Sequence, residues 1–565
     1  MMRHGFRTAV RNSARRMQRP TRAALLGALA SALLVLPGLG AGTLWDNSET
    51  IYGEVAREIL LTHDWVVLHY NGLPWFVQPP LYFWLAAICA KIFGLTSFAM
   101  RLPAALATIA MGAMTGYAVA RQVGSRVGVF AAAILSSSLM QAIIGRLAIM
   151  DALLDCAVAM TVFWWFRGLQ TGKRRYYIFG AVAAGFGFLA KGPVAPVVAL
   201  LVVLPYALWN RRVERTDWPT PATWLWGTLA FVLPVAPWFG ALIARTGVSS
   251  VVTLIGHYTI GRYTGVIENQ SGPVWYYLPV LIVGFFPWIA LLPSAVVDGV
   301  GRLRLGENDE RARVLRLAFC WAVMPLLFFS FARTKLPNYI ALEFPAIAVI
   351  CAIYLDGLLA RSRVRAALVA TMAVPLVIGL LAIAVAIFAR DNHLGEPLAV
   401  LRPALTAMGA TIALGGIAMA AMLMRRASAP YAPFALALAM AVAIDVLGLV
   451  ALPRAELFKP VPHLVRIVDA LRRPGDVVVD GGIVGGGSLL FYTRPPVALL
   501  ALFNSDVGAG TPSLRDVVCS APRAFVFFTG TSVASQPSFG RATRVIARSG
   551  NVAVMRYSGP PCRPQ

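Results

Sequence analysis

Long apolar segments alternate with short polar gaps along most of the chain, and this pattern predicts a helical membrane protein. The apolar segment at residues 79–93 is an exception, because as a helix it would be about 22 Å long at about 1.5 Å per residue. That is shorter than a hydrocarbon core of about 30 Å, so we predict a re-entrant or interfacial segment there. The longer segments predict thirteen crossings, near residues 23–40, 97–120, 127–145, 150–168, 176–190, 193–210, 222–243, 274–293, 314–331, 339–359, 366–388, 403–424 and 431–453.

The composition supports an α-helical polytopic protein with about 13 transmembrane helices. Hydrophobic residues make up 58% of the chain, charged residues only 13%, and the mean hydropathy is +0.70. So much apolar surface requires lipid as its solvent. The net charge of +25 would suggest a nucleic acid partner in a soluble chain. Here the basic residues occupy short loops between apolar segments, which is typical of topogenic charge, and we expect no nucleic acid partner.

The basic loops also predict the orientation. They lie at residues 167–175, 211–212, 302–316, 361–365 and 425–426, and the positive-inside rule places them in the cytoplasm. Residues 1–22 are then a basic cytoplasmic N-terminus, with an uncleaved first span after it. Residues 23–453 form the transmembrane domain, including a first extracytoplasmic loop at 43–96, and the C-terminus lies outside.

Residues 454–565 differ in composition from the rest of the chain. The short runs DVVVDGGI, RAFVFF and NVAVMRY are separated by glycine and proline, which predicts a small extracytoplasmic α/β domain. Cys519 and Cys562 could pair in an oxidising compartment, but sequence leaves their connectivity open. We expect the remaining cysteines to be packing residues inside or beside the spans.

The outward-facing gaps carry the candidate acids. In the first gap, Asp46 and Glu49 follow the first span at the level of the lipid head groups, whereas the rest of residues 49–60 predicts an amphipathic helix. We expect the other acids of this loop, Glu54, Glu58 and Asp64, to form a solvated face. In the second gap, Asp151 and Asp155 lie one helical turn apart, with Asp155 deeper in the bilayer. Intramembrane carboxylates favour functional or paired roles, and a structural ion pair with Arg146 is the alternative for Asp151.

Four cations lie at outward-facing positions, against the positive-inside bias: Lys191, Arg262, Arg333 and Lys335. An anionic phosphate is the obvious partner for such charges, and snorkelling to lipid head groups is the alternative. His257, in the loop that carries Arg262, does not by itself indicate a metal.

Several motifs resemble one family when they are taken together. They are WDNSETIYGEVAREILLTHDWVVLHYNGLPWFVQPPLYFW, GRLAIMDALL, GFGFLAKGPVAPVV, LPVAPWF, GPVWYYLPVLIVGFFPW and FFSFARTKLPNYI, in this order along residues 20–360. The chain thereby resembles the polyprenyl-phosphate-sugar-dependent membrane glycosyltransferases, the group that holds the lipid A aminoarabinose transferases and the protein O-mannosyltransferases. This resemblance implies a GT-C fold and an enzyme of the glycosyltransferase class. Similarity to the aminoarabinose transferases is closest.

Two positions depart from the family pattern. Ser48 stands where relatives have the aspartate of an Asp-Glu pair, and Gln78 stands where they have a lysine before the Pro-Pro pair. Both differences remove charge from the place where donor phosphate and acceptor would meet. Asp46 could substitute for the missing acid, the acceptor could differ, or the protein could be a catalytically weakened paralogue.

The resemblance and the sidedness of these residues together predict sugar transfer at the outer membrane–water boundary. A polyprenyl-phosphate sugar would place its phosphate among Lys191, Arg262, Arg333 and Lys335, which stabilise the leaving group. Asp46, Glu49 and Asp151 are the candidate catalytic residues, and a single displacement would invert the anomeric centre. The substrate-lining candidates are Tyr52, Gln78, Asp155 and Tyr339.

The partners follow from this chemistry. The donor would be lipid-linked, because no glycine-rich phosphate loop follows a strand, and lipid A or another envelope glycolipid is the favoured acceptor. A protein acceptor is the alternative, and no cofactor is certain, with a divalent cation left open. We expect a bacterial inner membrane protein, in contact with membrane lipids, whose active site faces the periplasm. A transporter or flippase is the rival class, and Asp445 in the last span is the residue that it explains better.

Overall fold

The structure is a computed structural model. It describes residues 20–45, 48–213, 218–267, 269–360, 366–388, 398–425, 428–483, 486–493, 497–499, 514–530 and 541–559. Asp46 therefore lies outside the described residues.

Helices dominate the described chain. Those of the first half are α1 (Pro20–Val35), α2 (Glu49–Thr62), α3 (Leu81–Phe93), α4 (Ser97–Gln122), α5 (Ser125–Ser136), α6 (Leu139–Ile144), α7 (Asp151–Thr171), α8 (Arg174–Lys191), α9 (Val194–Arg211) and α10 (Pro221–Thr246). The helices that follow are α11 (Val248–Val251), α12 (Gly261–Thr264), α13 (Tyr277–Gly284), α14 (Leu292–Arg304), α15 (Glu310–Phe331), α16 (Phe344–Ala360), α17 (Ala366–Phe388), α18 (Arg402–Met424), α19 (Ala432–Val446) and α20 (Leu452–Ala455). A π-helical stretch, Val252–Ile260, joins α11 to α12, and a 3₁₀ segment, Pro337–Glu343, leads into α16.

Capping residues explain where several long helices begin. The Thr96 side chain accepts a hydrogen bond from the Ala99 amide at the start of α4, and Asp309 does the same for Ala312 at the start of α15. These side chains satisfy amide groups that have no partner within the first helical turn.

Length and composition identify the membrane spans. Among the described residues, nine helices are long and apolar enough to cross a bilayer, or ten if the pair bent by 110° at residues 274–304 counts as one span. The first span, α1, and α5 are shorter apolar helices, and so is α3 in the segment predicted to be re-entrant. The polytopic helical fold is thus confirmed, whereas the count of thirteen crossings stays a prediction.

The spans differ in how far they are buried by protein. In the span Pro337–Ala360, 89% of the apolar window is buried, compared with 22% in Leu368–Phe388 and 11% in Pro221–Thr246. A helix that is apolar on all sides can be covered either by other helices or by lipid. The 3₁₀ segment and α16 therefore form the centre of the bundle, and α10 and α17 lie at its lipid-facing periphery.

Small residues allow α1 and α4 to pack closely. A Cβ added at Gly116 would lie 2.6 Å from the carbonyl oxygen of Ala23, so only glycine fits at this contact. Beside it, the hydroxyls of Ser31 and Ser136 share a buried hydrogen bond of 2.7 Å between α1 and α5. Small residues and interhelical hydrogen bonds are the usual means of helix association in membranes.

The first loop, at residues 43–96, is a folded layer, which corrects the expectation of a solvated acidic face. Glu54 and Glu58 on α2 are buried, and Glu54 is paired with Arg57 at 2.8 Å. Glu58 accepts hydrogen bonds from the amide of Gly72, which follows strand β1 (His69–Tyr70) of a short hairpin with β2 (Leu73–Pro74). Burial raises the pKa of Glu58. Both acids are therefore held by partners within the first loop itself.

The C-terminal part of the chain contains the predicted small sheet domain. Its helices are α21 (Pro460–Leu471), α22 (Gly486–Tyr492) and α23 (Leu514–Ser520), and its strands are β3 (Val477–Asp480), β4 (Val497–Leu499), β5 (Arg523–Thr529), β6 (Ala542–Ser549) and β7 (Val552–Ser558). The sheet order is β4-β3-β5-β7-β6, with β3 parallel to β4 and β5 and the other pairs antiparallel. Cys519 is disulfide-bonded, and Cys562 lies outside the described residues.

Contacts fix this domain onto the first loop. Phe491 packs in the same cluster as Val55 and Leu44, and the Tyr492 hydroxyl accepts a hydrogen bond of 2.7 Å from the Leu44 amide. Arg57 donates to the carbonyl of Thr493 at 3.3 Å. The first loop is therefore held between the bundle and the C-terminal domain.

Candidate active site

A buried ion pair fixes the start of the site. Glu49, at the first turn of α2, is fully buried and accepts two hydrogen bonds of 2.8 Å from Arg101 on α4. The amides of Trp45 and Ala148 also donate to its carboxylate, at 2.9 and 2.6 Å. These contacts occupy both oxygens of Glu49 and hold the segment that leads into α7. The geometry therefore favours a positioning role for Glu49 over contact with a reacting group.

The centre of the site is formed where α7 begins and α8 ends. Asp151 is the first residue of α7, and Lys191 is the last residue of α8; the two helices are antiparallel neighbours, so these ends adjoin. Lys191 Nζ lies 2.5 Å from Asp151 Oδ1, and the Asn338 side-chain amide donates to the same oxygen at 2.7 Å. A negative charge at a helix N-terminus and a positive charge at a C-terminus are both favoured by the helix dipole.

Aromatic rings complete the surroundings of Lys191. Its ammonium lies 5.0 Å from the centre of the Tyr339 ring, within the range of a cation–π contact. Tyr52 on α2 is half-buried and packs edge-on against Trp75 and Phe83. Lys191 is followed by Gly192 at φ 66°, a left-handed conformation that suits glycine and lets the chain turn directly after the lysine.

The structure brings two further predicted cation positions together through backbone hydrogen bonds. The amides of Arg333 and Thr334 donate to the carbonyls of Tyr263 and Arg262, at 3.0 and 3.1 Å. Arg333 is exposed, and Arg262 Nη1 lies 3.4 Å from the side-chain oxygen of Gln270. These backbone bonds hold α12, which carries Arg262, beside the segment that carries Arg333.

Lys335, one of the predicted phosphate ligands, lies next to the end of α15. Its ammonium is buried and donates to the carbonyls of Ser330 and Ala332, at 2.8 and 2.5 Å, at the end of α15. A lysine that satisfies the last carbonyls of a helix is a C-terminal cap. Burial lowers the pKa of Lys335.

Asp155 lies one turn deeper on α7 and is buried. Its Oδ2 has no hydrogen-bond partner among the described residues, and the same holds for Oε1 of Gln141 on α6. Gln141 donates to the carbonyl of Ala341 at 2.9 Å, so it joins α6 to the central 3₁₀ segment. An unpartnered carboxylate oxygen at this depth marks the polar interior below Asp151.

Gln78 lies near the same end of the bundle. It precedes α3 and is half-buried, and its neighbours Phe76 and Leu81 pack against the cluster that includes Leu189, two residues before Lys191. Of the other acids in the loop, Asp64 forms an ion pair of 2.9 Å with Arg245, away from Asp151. Among the described residues, no three His, Cys, Asp or Glu side chains are grouped as metal ligands would be.

The alternative partner for Asp151 was wrong. Arg146 instead donates to the carbonyls of Leu34 and Pro37 and lies 3.5 Å from Asp445 on α19. This pair also accounts for Asp445 without a transport role.

Two important residues were missed by the sequence reasoning. Asn338 lies inside the motif FARTKLPNYI, but nothing in the sequence shows that its amide faces Asp151. Arg101 carried a clearer signal, since an arginine inside an apolar segment favours a carboxylate partner. The structure shows that this partner is Glu49.

The family model of dolichyl-phosphate-mannose-protein mannosyltransferases matches residues 77–239. The chain is 34% identical over 344 residues to the undecaprenyl phosphate-alpha-4-amino-4-deoxy-L-arabinose arabinosyl transferase of Pectobacterium carotovorum subsp. carotovorum (strain PC1). It is 33% identical over 331 residues to enzyme 2 of that name from Sodalis glossinidius (strain morsitans). The first of these matches covers 59% of this chain and 59% of its relative, and the second covers 57% and 58%.

The crystal structure of ArnT from Cupriavidus metallidurans bound to undecaprenyl phosphate is similar over nearly the whole chain. The TM-score is 0.78 at 21% identity, covering 96% of this chain and 99% of that one. The apo state of the same protein gives a TM-score of 0.76. The chain therefore has the GT-C fold, including the C-terminal sheet domain.

Proposed function

We propose that this chain, a homologue of the polyprenyl-phosphate-sugar glycosyltransferases with their GT-C fold, is itself a membrane glycosyltransferase. It would move a sugar from a polyprenyl-phosphate donor to an acceptor outside the cytoplasm. The observation that carries the proposal is the cluster of Asp151, Lys191 and Asn338 at one end of the bundle. Arg333 lies on the segment that leads to Asn338, and backbone hydrogen bonds hold this segment against α12, which carries Arg262.

The charges at this end fit a phosphate leaving group. Lys191 has three N–H donors, and one of them faces Asp151. The other two make no hydrogen bond to the described residues and would bind phosphate oxygens, while the ammonium lies over the Tyr339 ring. Positive charge held near the bridging oxygen stabilises the polyprenyl phosphate as the glycosidic bond breaks. Arg262 and Arg333 extend the same field to the rest of the phosphate.

Lipid A or another envelope glycolipid is the proposed acceptor, as the resemblance to the lipid A aminoarabinose transferases implies. In the transfer, an acceptor oxygen forms a bond to the anomeric carbon while the bond from that carbon to the polyprenyl phosphate breaks. An acceptor phosphate is already anionic and needs mainly positioning. An acceptor hydroxyl loses its proton to a carboxylate, for which we propose Asp151 or Asp46. One displacement without an enzyme nucleophile inverts the anomeric centre.

Asp151 is suited to the base role by its contacts. Both of its hydrogen bonds end on Oδ1, from Lys191 and Asn338, and we propose Oδ2 as the oxygen that takes the proton. Glu49 positions the segment before Asp151 through the Ala148 amide. Tyr52, Gln78, Asp155 and Tyr339 would line the substrate, with Asp155 below the reacting groups.

The location of the site follows from the charge pattern. The basic loops would face the cytoplasm, which puts Asp151, Lys191 and the C-terminal domain in the periplasm of a bacterial inner membrane. A protein acceptor is the second candidate, favoured by the mannosyltransferase family match at residues 77–239.

The test combines cells and purified protein. Mass spectrometry of lipid A and envelope proteins from cells with and without the gene identifies the sugar and acceptor from the missing mass. Purified protein is then given the matching polyprenyl-phosphate sugar and acceptor. We expect transfer by the unchanged protein, and losses of at least about 100-fold in Asp151→Asn and Lys191→Ala, the range typical of general-base and electrostatic groups.

A matched control separates these losses from general damage. Asp298→Asn removes a carboxylate that pairs with Arg302 on α14, outside the cluster, and should retain full transfer. Translocation of the donor lipid without any sugar transfer would overturn the proposal in favour of a flippase. Undiminished transfer by Asp151→Asn would remove that residue from the mechanism.

A further inference from the structure

A second polar site lies at the other end of the bundle. An open cleft there contains about 610 Å³ of empty space, solvent included, between the ends of α4 and α7 and the beginning of α15. Arg167, which lines it, follows Asp151 on α7 by sixteen residues, or about 24 Å along a helix. The cleft is therefore separate from the candidate active site.

The polar wall of the cleft is positively charged. Arg121 and Arg167 line it, and no carboxylate is among the described residues that do so. Arg121 donates to the Tyr117 hydroxyl at 3.1 Å, and Arg167 Nη1 donates to Gln170 Oε1 at 3.3 Å. Arg167 Nε is buried and has no acceptor in the described part of the chain. Within the described residues, the cleft thus offers guanidinium groups with no carboxylate in its lining and one donor with no acceptor.

The remaining walls are apolar. Met114, Ala118 and Trp164 line the cleft and are half-buried, and Trp164 stacks on Tyr176 with 5.6 Å between the ring centres. The other apolar lining residues, such as Phe163 and Leu317, are buried. A small inorganic anion would satisfy the arginines but leave the accessible surface of Met114, Ala118 and Trp164 uncovered. An amphiphile with an anionic head group and an acyl chain matches both kinds of surface.

We propose that this cleft binds an anionic phospholipid from the membrane leaflet at this end of the bundle. The phosphate diester lies between Arg121 and Arg167, where Arg167 Nε donates to it, and the first part of an acyl chain covers the apolar wall. This site is independent of the transfer reaction, and its position predicts that lipid composition affects the packing of α4 against α7.

The experiment measures lipid retention. The full-length protein is reconstituted into nanodiscs of phosphatidylcholine with or without phosphatidylglycerol, and the retained lipids are counted by native mass spectrometry after extraction. We expect selective retention of phosphatidylglycerol, which falls by at least about tenfold in the double variant Arg121→Gln/Arg167→Gln, since two charge-assisted contacts are lost. Arg211→Gln, which removes an exposed arginine at the end of α9, should retain phosphatidylglycerol as the unchanged protein does.

A charge-preserving variant keeps the test decisive if the glutamine pair folds poorly. Arg121→Lys/Arg167→Lys should retain most of the phosphatidylglycerol, and equal loss in both double variants would overturn the proposal. Displacement of the lipid by inorganic phosphate alone would also overturn it, because the site would then bind a free anion. Equal retention of phosphatidylcholine and phosphatidylglycerol would show that the arginines do not select the head group.

Discussion

The ion pair between Glu49 and Arg101 gives the strongest stability prediction. Both side chains are almost completely buried, with 0% and 2% exposed, and Arg101 also donates to the carbonyls of Leu39, Ala41 and Thr43. Arg101→Met leaves the Glu49 carboxylate buried with only two amide donors. Breaking a buried pair in this way should cost about 3–5 kcal/mol of unfolding free energy.

A double variant tests whether the unpaired charge causes this loss. Glu49→Gln/Arg101→Met removes the charge while it keeps an oxygen for the Ala148 amide. Its loss should be smaller than the sum of the single losses by about 1–3 kcal/mol, the coupling expected of residues in one buried network. The control Arg302→Met breaks pairs with partly exposed acids, so it should cost less than about 1 kcal/mol.

The measurement is unfolding of the purified protein in mixed micelles with increasing SDS, followed by tryptophan fluorescence. A loss below about 1 kcal/mol for Arg101→Met would refute the role given to this pair, since it is far below the cost of an unpaired buried charge. Strictly additive single losses would show that the two side chains are not coupled.

Three further changes probe other parts of the molecule. Asn338→Ala removes one of the two side-chain donors to Asp151, so the kcat of transfer should fall while the KM for the donor lipid is retained; an unchanged kcat would contradict this positioning role. Gly116→Ala should destabilise the bundle by about 1–3 kcal/mol, because the added methyl group overpacks the contact between α1 and α4. The control Gly227→Ala should be neutral or stabilising, since a Cβ at this position meets nothing within 4 Å. Similar unfolding curves for the two variants would count against the close helix contact. Partial burial would raise the pKa of Asp64, but hydrogen bonds from the Val66 and Val67 amides and the nearby Arg245 outweigh it and lower this pKa. The Asp64 carboxylate therefore stabilises the fold above its ordinary pKa of 3.8, and this stabilisation is lost as the pH falls below that value. Melting temperatures between pH 5 and about pH 3 should therefore fall more steeply for the unchanged protein than for Asp64→Asn, and parallel curves would exclude this contribution.

Sequence alone predicted the helical fold and much of the site. Apolar length and basic loops located the spans, because both are imposed by the bilayer and act on each segment separately. The positions of the basic loops also placed Asp151 and Lys191 at the same end of the bundle. In the structure, Lys191 Nζ lies 2.5 Å from Asp151 Oδ1. The small sheet domain was recognisable from its short β-branched runs between glycines.

Contacts between distant segments were beyond the reach of these patterns. Periodicity indicated a polar face on α2, but it could not show that α22 packs against α2 or that Glu54 is buried. The charge of Lys335 suggested a phosphate ligand, whereas its distance from the α15 carbonyls is set by how the chain turns after Phe331. The partner of Arg146 is 299 residues away in the chain, so a nearby acid was a misleading choice.

The seam between the first loop and the C-terminal domain has a consequence for biogenesis. Leu44 and the tyrosine that binds its amide are separated by 448 residues, so at about 5–20 residues per second a ribosome needs roughly 20–90 seconds to deliver the second after the first. Throughout that interval the surface of α2 that the C-terminal domain covers is exposed in the nascent protein. A cell that makes this protein would have to protect that surface from aggregation and proteolysis until the C-terminal segment reaches it.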